Sequence, residues 1–416
     1  MPELPYDCEL LVVGAGPTGS AAAAWAAAAG RQVVLVDAAT FPRDKTCGDG
    51  LTPRAVGALG ELGLGPWLND QHLVVGLRAR GFGQVLDLPW PDGPFPPVGA
   101  AVDRRTLDHR LVRTAVEWGA TLIEDSRAVD VRAAHGRVES VTFATPSGIR
   151  EVRPGAVVVA DGVRSPTGRL LGRRWSRRLP YGVAARGYVR SGRSSEPWIA
   201  SDLQLRGPAG ETLPGYGWVF PLGNGLVNLG VGTLATARRP SHVNLRAVLD
   251  AYRDQQRDDW DLEGPATEVA SALLPMGGTV TNLAGHNWVL AGDAAGCVNP
   301  LNGEGIDYGL ETGHLAADLL ADTALAGGSA LRAWPAELQR AYGTSFAVAR
   351  RLAVLLTVPG ALDVLGPIGM RSAALMEVAL RVMANLVTDD QTDVVARLWR
   401  SAGRGLGRME RAPAFS

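Results

Sequence analysis

The sequence is short of cysteine and lysine, and these shortages exclude several kinds of protein. Its 416 residues contain three cysteines, Cys8, Cys47 and Cys297, which are far apart and form no CxxC pair. This spacing predicts neither a disulfide framework nor a zinc site, and it suits a reducing compartment. Lys45 is the only lysine among 41 basic residues. That preference for arginine is more typical of codon bias than of a function.

The charge balance and the apolar runs exclude further classes. The formal net charge is −1, so bulk electrostatics give no reason to expect nucleic-acid binding. The first apolar run is a short strand among acidic residues, so no signal peptide is predicted. The nearest candidate for a spanning helix, residues 352–370, is broken by proline, glycine and Asp363. We therefore expect a cytoplasmic protein with no spanning helix.

A dinucleotide-binding motif stands near the start of the chain. A short apolar strand runs into Gly14, Gly16 and Gly19, and an alanine-rich helix and a second strand ending in Asp37 follow. In this motif the first glycine makes the tight turn, the second admits the pyrophosphate, and the third lets helix and strand pack closely. Asp37 is placed to bind the adenosine ribose. The pattern predicts a Rossmann-like domain but does not separate FAD from NAD.

A second glycine-rich loop follows the predicted buried strand 288–291. Asp293 lies at the end of that strand, where it can accept hydrogen bonds from ligand hydroxyls. Gly303 and Gly305 allow close backbone approach to a ligand, and a helix is predicted to begin near Ile306. The positive end of its dipole would stabilise the negative charge of a reduced flavin. The alternative is an ordinary strand-to-helix turn.

A third strand is predicted at 157–160. It is continuously apolar, which is typical of a strand in a parallel sheet that is buried on both faces. Asp161 follows it and could hold a loop near the pyrophosphate, or serve as a structural turn aspartate. A cluster of arginines comes next and is expected to form a solvated face, with a diphosphate-bearing substrate as the alternative. These arginines are Arg173, Arg174, Arg177 and Arg178.

Two further segments are candidates for contact with a bound cofactor. The loop 41–50 contains Cys47 beside Gly48 and Gly50, and proline and glycine make it irregular. Its glycines suggest close approach to a flavin, although Cys47 could also be a small filler residue. Arg104 opens a predicted helix and could reach a phosphate or the ribityl chain. The alternative there is a solvated arginine.

The region 181–283 reads as antiparallel and carries an aromatic strand. Because side chains alternate along a strand, Tyr216, Trp218 and Phe220 fall on one face. The predicted return strand has small residues on one face. Together these faces could form an aromatic-walled slot or ordinary sheet core.

The C-terminal region is predicted to be helical. An apolar stripe within 372–387 fits core packing, with a membrane- or partner-facing surface as the alternative. The tail is basic, which would favour anionic lipid or simply a solvated surface. Its arginines are Arg397, Arg400, Arg404, Arg408 and Arg411.

The order of these segments resembles the FAD-dependent monooxygenase and reductase superfamily that includes the aromatic hydroxylases. Three stretches are more specific and resemble the geranylgeranyl reductase family: FPRDKTCGDG at 41–50, YGWVFP at 216–221 and GEGI at 303–306. Within that family the chain looks most like the bacterial menaquinone-type reductases. The resemblance extends to about residue 326. It implies an enzyme that saturates isolated C=C bonds of an isoprenoid chain, a geranylgeranyl group or a menaquinone tail, by hydride transfer from reduced FAD.

The resemblance also assigns roles along the chain. Ala128 would lie near adenine through its backbone, and Tyr216 and Trp218 would wall the isoprenoid pocket. Cys47 and Tyr216 are candidates for the proton path. Together with Trp218, which would wall the pocket, they are the predicted catalytic residues. The predicted cofactor-binding residues are Gly14, Ala15, Gly16, Gly19, Asp37, Arg43, Cys47, Gly48, Gly50, Arg104, Ala128, Asp161, Asp293, Gly303, Gly305 and Ile306. No metal site is predicted.

The predicted fold is α/β: a Rossmann-like FAD-binding domain of the aromatic-hydroxylase type, an antiparallel substrate domain and C-terminal helices. The FAD domain would comprise 1–71, 100–180 and 284–330, the substrate domain 72–99 and 181–283, and the helical region 331–416. No second GxGxxG stands in a strand–helix setting, so NADPH would dock transiently or another donor would supply electrons. Peripheral association with the inner face of the membrane stays open.

Two rival functions remain at this stage. One is an oxygen-using hydroxylase or epoxidase on the same fold, acting on an aromatic or apolar small molecule. Halogenation is disfavoured, because halogenases need a lysine between flavin and substrate and Lys45 stands in a different kind of motif. The other rival is a lipid- or quinone-binding flavoprotein without turnover.

Overall fold

The computed structural model describes residues 3–176, 179–326, 330–388, 391–409 and 414–415. Two seven-stranded sheets dominate it, joined by two smaller sheets and eleven helices within the described residues. The strands are β1 (Asp7–Val13), β2 (Val33–Val36), β3 (Gly50–Leu51), β4 (His72–Val74), β5 (Gly76–Gly81), β6 (Gln84–Pro89), β7 (Gly99–Ala101), β8 (Thr121–Ile123), β9 (Arg127–Ala134), β10 (Arg137–Thr145), β11 (Gly148–Val159), β12 (Arg174–Trp175), β13 (Tyr181–Ser191), β14 (Trp198–Asp202), β15 (Gly215–Pro221), β16 (Leu226–Ala235), β17 (Leu262–Pro275), β18 (Val280–Thr281) and β19 (Trp288–Leu290). The helices are α1 (Pro17–Ala28), α2 (Pro53–Glu61), α3 (Gly65–Leu68), α4 (Arg104–Glu117), α5 (Pro166–Leu170), α6 (Leu245–Gln256), α7 (Ile306–Ala326), α8 (Trp334–Leu356), α9 (Ala361–Met370), α10 (Ala373–Met383) and α11 (Val394–Met409).

The first large sheet explains why the glycine motifs meet. Its order is β8-β2-β1-β11-β10-β9, and β19 also pairs with β11. Strands β8, β2, β1, β11 and β19 run parallel, so their carboxyl ends lie at one edge. Asp37, Asp161 and Asp293 follow β2, β11 and β19, and the parallel arrangement brings all three to that edge. The predicted Rossmann-like fold of the aromatic-hydroxylase type is confirmed.

The second large sheet has the order β17-β13-β16-β15-β14-β5-β6 and is mostly antiparallel. Its one parallel pair joins β14 to β5. The strands come from residues 76–89 and 181–275, which lie within the ranges that the sequence assigns to a substrate domain. Helix α6 covers one face through Val248, Leu249 and Tyr252. The division of the chain into domains stays a prediction.

The C-terminal helices cover one end of the second sheet. In α10, Met376 and Leu380 pack beneath the helix, whereas Leu375 is 52% exposed. The apolar stripe predicted within 372–387 therefore divides into a core-facing side and a solvent-facing side. Helix α10 ends at Met383, and Asn385 adopts a positive φ of 56°.

The expectation of a solvated arginine face is wrong for Arg173. Its side chain is buried and donates hydrogen bonds to the carbonyl oxygens of Ala294 at 2.6 Å and Val163 at 3.3 Å. Burial is possible because these carbonyl oxygens accept the guanidinium hydrogen bonds that water would otherwise accept. Arg174 is exposed, and Arg177 and Arg178 lie outside the described residues. In the tail, Arg397 and Arg404 are exposed and Arg400 is half-buried; the side chains of Arg408 and Arg411 also lie outside what is described.

Candidate active site

A cavity with a volume of about 680 Å³ lies between the two large sheets. Its walls include the edge formed by the strand ends of the first sheet, the loop 43–52, the aromatic strand β15 and the end of helix α10. A cavity of this size holds a cofactor or drug-sized ligand. One continuous space therefore joins the dinucleotide motif to the aromatic strand.

The glycine turn before α1 is shaped for a ligand phosphate. Gly14 has a φ of +98°, and a Cβ on Gly19 would lie 1.7 Å from the carbonyl oxygen of Gly14. These contacts hold α1 tightly on the turn, as the motif requires. A Cβ on Gly16 would instead meet only the guanidinium nitrogens of Arg43 and Arg104, at 3.7 and 4.0 Å. An open backbone flanked by two cations at a helix N-terminus fits a pyrophosphate.

Arg104 is a buried part of this site. Its side chain is 2% exposed, and its Nε and Nη2 each donate to the Asp108 carboxylate at 2.7 Å. Arg43 donates to the same carboxylate at 2.7 Å. Asp103 caps α4 by accepting from the backbone of Arg105 and Thr106, which places Arg104 in the first turn. The solvated alternative for Arg104 is therefore wrong.

Asp37 lies at the end of β2, where the motif predicts a ribose ligand. Its Oδ2 accepts from the Ala15 amide at 2.7 Å, and its Oδ1 accepts from the Ala39 amide at 2.9 Å. The two amides hold the carboxylate in place at the cavity wall, and each oxygen keeps a second lone pair for a hydroxyl. Ala128 lies in β9 and also lines the cavity.

The other two acids at the sheet edge differ in their partners. Asp161 accepts from the Ser165 hydroxyl at 2.5 Å and from the Thr167 amide at 2.8 Å, so it holds the turn before α5 while it lines the cavity. Asp293 pairs with Lys45, with Nζ 3.1 Å from Oδ2. The single lysine of the chain thus lies in the cavity. A Cβ on Gly305, just before α7, would lie 3.0 Å from Asp293 Oδ1.

The loop around Cys47 is held against the aromatic strand by one amide. Asn228 Nδ2 donates to the Cys47 carbonyl and to Asp49 Oδ2, both at 2.8 Å, while its Oδ1 accepts from Trp218 Nε1 at 2.9 Å. Tyr188 also donates to Asp49, at 2.8 Å. Burial raises the pKa of Asp49 to about 7, against the lowering effect of these two donors. This network fixes the position of Trp218 relative to the loop.

The aromatic strand faces small residues on its neighbour. In the pairing of β15 with β16, Tyr216 lies opposite Gly232, Trp218 opposite Gly230 and Phe220 opposite Asn228. The Tyr216 and Trp218 ring centroids are 5.8 Å apart, and those of Trp218 and Phe220 are 6.3 Å apart. Gly48 and Gly50 lie against Trp218 and Phe220. The arrangement forms an apolar wall directly beside the glycine loop.

The chain matches known flavoproteins over most of its length. A family described as an FAD binding domain matches residues 7–179. The chain is 56% identical over 413 residues to the menaquinone reductase of Mycobacterium tuberculosis, with 99% of each chain covered. It is 32% identical over 327 residues to digeranylgeranylglycerophospholipid reductase 1 of Methanopyrus kandleri, covering 75% of this chain and 80% of that protein. The crystal structure of a geranylgeranyl bacteriochlorophyll reductase-like protein from Thermoplasma acidophilum superposes with a TM-score of 0.69 at 20% identity, covering 97% and 98% of the two chains.

The chain belongs to the geranylgeranyl reductase family of FAD-dependent oxidoreductases. This confirms the resemblance carried by the three motifs, and FAD rather than NAD is the resident cofactor. The glycine turn, the paired arginines and Asp37 fit its adenosine diphosphate half. The individual contacts assigned to Cys47, Tyr216 and the other predicted site residues stay predictions.

Several residues of this reductase site were missed in the sequence. Asn228, Asp49, Tyr188 and Lys45 all line the site or join its hydrogen-bond network, yet none belongs to the predicted set. Asp49 stands inside the motif at 41–50, and that position could have marked it as a site residue. Asn228 is marked less clearly, as the polar member of the small-residue face of β16. Tyr188 lies 139 positions from its partner, and nothing local marks it.

Proposed function

We propose that this protein saturates an isolated C=C bond of an isoprenoid chain, most specifically in the tail of a menaquinone. The observation that supports this best is the wall formed by Tyr216, Trp218 and Phe220 beside Gly48 and Gly50. An isoprenoid chain is apolar and unbranched apart from its methyl groups, so it suits such a wall. The 56% identity to a protein named menaquinone reductase supports the choice of a menaquinone tail over a geranylgeranyl group.

The residues of the slot would act by orientation, exclusion of water and electrostatics. Bound FAD, once reduced, supplies a hydride. Positive charge develops on the more substituted alkene carbon during saturation, and the faces of Trp218 and Tyr216 would stabilise it through cation–π attraction. The Asn228 bridge holds the Trp218 indole, so that face is already oriented.

The electron donor is part of the same proposal. The chain has one GxGxxG turn in a strand–helix setting, the one around Gly14, and the adenosine half of FAD uses it. NADPH, or another reductant, would therefore dock transiently rather than occupy a domain of its own. Stopped-flow reduction of the flavin by NADPH under anaerobic conditions tests this. Slow reduction at all concentrations would favour a different donor.

The function is tested by an anaerobic turnover. The purified holoprotein is reduced with dithionite and mixed with menaquinone or with geranylgeranyl diphosphate, and the products are analysed by mass spectrometry. We expect a menaquinone that gains two hydrogen atoms in its tail. Flavin reoxidation without this gain would not count, because a quinone ring accepts electrons by itself. If no isoprenoid gains hydrogen but oxygen with an aromatic compound gives an oxygenated product, the enzyme is a hydroxylase.

We further propose that the protein docks on a membrane through its C-terminal helices. No single helix among the described residues meets the length and hydropathy needed for a membrane span; one pair, Leu331–Leu356 with Ala361–Met370, meets them only together and is bent by 116°. However, eight of the eighteen exposed large apolar side chains of the described chain lie within residues 352–378. Six of them, on helices α8, α9 and α10, are what we term the apolar face and propose as the docking surface: Leu352, Leu355, Val364, Ile368, Leu375 and Val378.

The apolar face is connected to the site through α10. The outer side of this helix carries Leu375 and Val378, while Leu380 and Met383 on the same helix line the cavity. Arg351 and Arg371 flank the face and are exposed, and neither has a carboxylate partner within the described ranges. Lipid tails would therefore meet the helix that bounds the slot, and anionic headgroups would meet the two arginines.

Docking is tested by flotation with vesicles of phosphatidylcholine and phosphatidylglycerol. Val364→Asp with Ile368→Asp replaces side chains that are 64% and 59% exposed, and we expect about a tenfold or greater loss of bound protein, because two apolar anchors are removed. The control is Val129→Asp with Ile149→Asp, exposed apolar sites on the first sheet whose side chains are 42% and 63% exposed. Equal loss in both double variants, or no loss in the first, would contradict the assigned face.

A further inference from the structure

Glu304 is an acid in the cavity wall, within the GEGI motif at 303–306. It stands in the loop before α7 and lines the cavity between the sheets. Its Oε1 is buried and has no hydrogen-bond partner within the described part of the chain. Tyr216 is its neighbour on the aromatic strand, close enough that a charge on Glu304 raises the pKa of the phenol. An unpartnered carboxyl oxygen beside the aromatic wall is costly to keep, so its presence calls for an explanation.

Burial and the neighbouring acids favour a neutral carboxyl at Glu304. Burial, repulsion from Asp307 and weaker repulsion from Asp293 raise its pKa well above the usual range, while the amides of Ile306 and Asp307 oppose the shift. Lys45 does not offset this, because it pairs with Asp293. No arginine or lysine forms an ion pair with Glu304 in the ranges described. These surroundings favour the protonated carboxyl over the carboxylate.

A hydrogen-bonded cluster begins at Asp307, three residues after Glu304, and extends to a second cavity of about 330 Å³. Asp307 accepts from Asn385 Nδ2 at 3.0 Å, and Arg54 donates to the Asn385 carbonyl at 3.1 Å while it pairs with Glu311. Asn385, Arg54 and Glu311 line the second cavity, as does the exposed Glu61 at its rim. Burial and the Glu311 charge raise the pKa of Asp307 to about 7. Asn385 and Arg54 thus connect the neighbourhood of Glu304 with the second cavity.

We propose that Glu304 donates the proton that completes saturation of the isoprenoid double bond, an inference that rests on the proposed function. The π bond is lost as one carbon gains the hydride drawn from reduced flavin and its neighbour gains the Glu304 proton. The flavin is oxidised by two electrons, the alkene is reduced, and Glu304 is left as a carboxylate. A proton arriving past Asp307 restores it for the next turnover, so the slot itself stays free of water.

The predicted proton-path residues are less suited to this step. Burial raises the pKa of both the Cys47 thiol and the Tyr216 phenol. The Tyr216 hydroxyl, moreover, donates to the Asn302 carbonyl at 2.6 Å. Asp49 also lines the cavity, and its Oδ1 also lacks a partner, but its Oδ2 accepts from Tyr188 and Asn228, two donors that favour the carboxylate. Glu304 combines an unpartnered oxygen and a place in the cavity wall with no side-chain donor, among the described residues, that would favour its carboxylate.

The test is a single turnover of the reduced holoenzyme with menaquinone, analysed by mass spectrometry after rapid quenching. Glu304→Gln keeps the shape of the side chain and removes its acidic proton, so we expect product formation to slow about 100-fold or more. Glu304→Asp should recover much of the rate. Glu117→Gln, at the end of α4 and outside both cavities as described, is the control and should react like the unmodified protein. FAD content and dithionite reduction should be the same in all four proteins.

Two readouts separate an acid from a merely structural residue. Asp307→Asn removes the negative neighbour and lowers the pKa of Glu304. The reaction needs protonated Glu304, so its rate falls as rising pH removes that proton. In Asp307→Asn this fall should occur at a lower pH than in the unmodified protein. Infrared spectroscopy of the resting protein at neutral pH should show, beside the contributions of Asp49 and Asp307, whose pKa values are raised to about 7, a protonated-carboxyl band that Glu304→Gln removes. This band does not depend on turnover.

The outcomes are distinct. If the unmodified protein saturates no isoprenoid, the proposed function fails. If it does, and Glu304→Gln reacts at the same rate or keeps the infrared band, the role of Glu304 is overturned. An unmoved pH profile in Asp307→Asn would equally count against it. Slowing by Tyr216→Phe alone, with Glu304→Gln unaffected, would return the role to Tyr216.

Discussion

Gly230→Ala should slow isoprenoid saturation about 100-fold, whereas Gly232→Ala should change it by less than about threefold. A Cβ on Gly230 would lie 2.0 Å from Cζ2 of Trp218 and 2.4 Å from Cε2, so the indole would have to move. A Cβ on Gly232 would meet Trp218 no closer than 3.6 Å, an ordinary contact. Displacement of an orienting group by about 1 Å can cost two orders of magnitude in rate.

The two glycines form a matched pair because they lie on the same strand, β16, and on the same face. The rate is measured by single turnover with menaquinone, and FAD binding is followed by flavin fluorescence. We expect both variants to bind FAD like the unmodified protein, since neither glycine lies at the dinucleotide turn. Equal rates in the two variants would show that Trp218 does not orient the substrate.

Asp108→Ala should destabilise the protein by about 3–5 kcal/mol, the usual cost of leaving a buried charge without its partner. The Asp108 side chain is fully buried and serves both Arg104 and Arg43. Without it the two guanidinium groups would repel each other beside the glycine turn. We therefore also expect weaker FAD binding, because the arginines would no longer be held at Gly16.

The control for this prediction lies on the same helix. Glu117 ends α4 and pairs with Arg110 at 3.1 Å, but the side chains of Arg110 and Glu117 are 32% and 45% exposed. An exposed pair contributes at most about 1 kcal/mol, so Glu117→Ala should be close to neutral. Denaturant unfolding and FAD titration of both variants provide the measurements. Similar losses would mean that helix α4, rather than the charge cluster, determines the effect.

The parts of the site that follow local rules were predictable. The roles of Gly14, Gly16 and Gly19 follow from a motif of six residues, because turn geometry and helix packing act over short distances. Asp37, Asp161 and Asp293 could be placed at one sheet edge because each follows an apolar strand, and parallel strands end together. The three family motifs identified the family, which the comparisons confirmed.

Burial and distant partners were not predictable. Arg104 and Arg173 look like ordinary charged residues in the sequence, yet both are buried because a carboxylate or backbone carbonyls happen to meet them. The bridge from Asn228 to Cys47 spans 181 positions. Hydrogen bonds of this kind depend on how two sheets are set against each other, and no local pattern records that.

The sequence by itself determined the family, the cofactor class and the elements that present the site, since these rest on short motifs and on side-chain alternation along strands. Only the tertiary structure decided which acid in the slot lacks a partner, which arginines lose contact with water, and which helix separates the cavity from the apolar face. The physical reason is that desolvation and electrostatic coupling depend on every neighbour in space. The groups that act on the pKa of Asp49 are Asn228, Tyr188, Arg186 and Arg104, all of them distant in the chain.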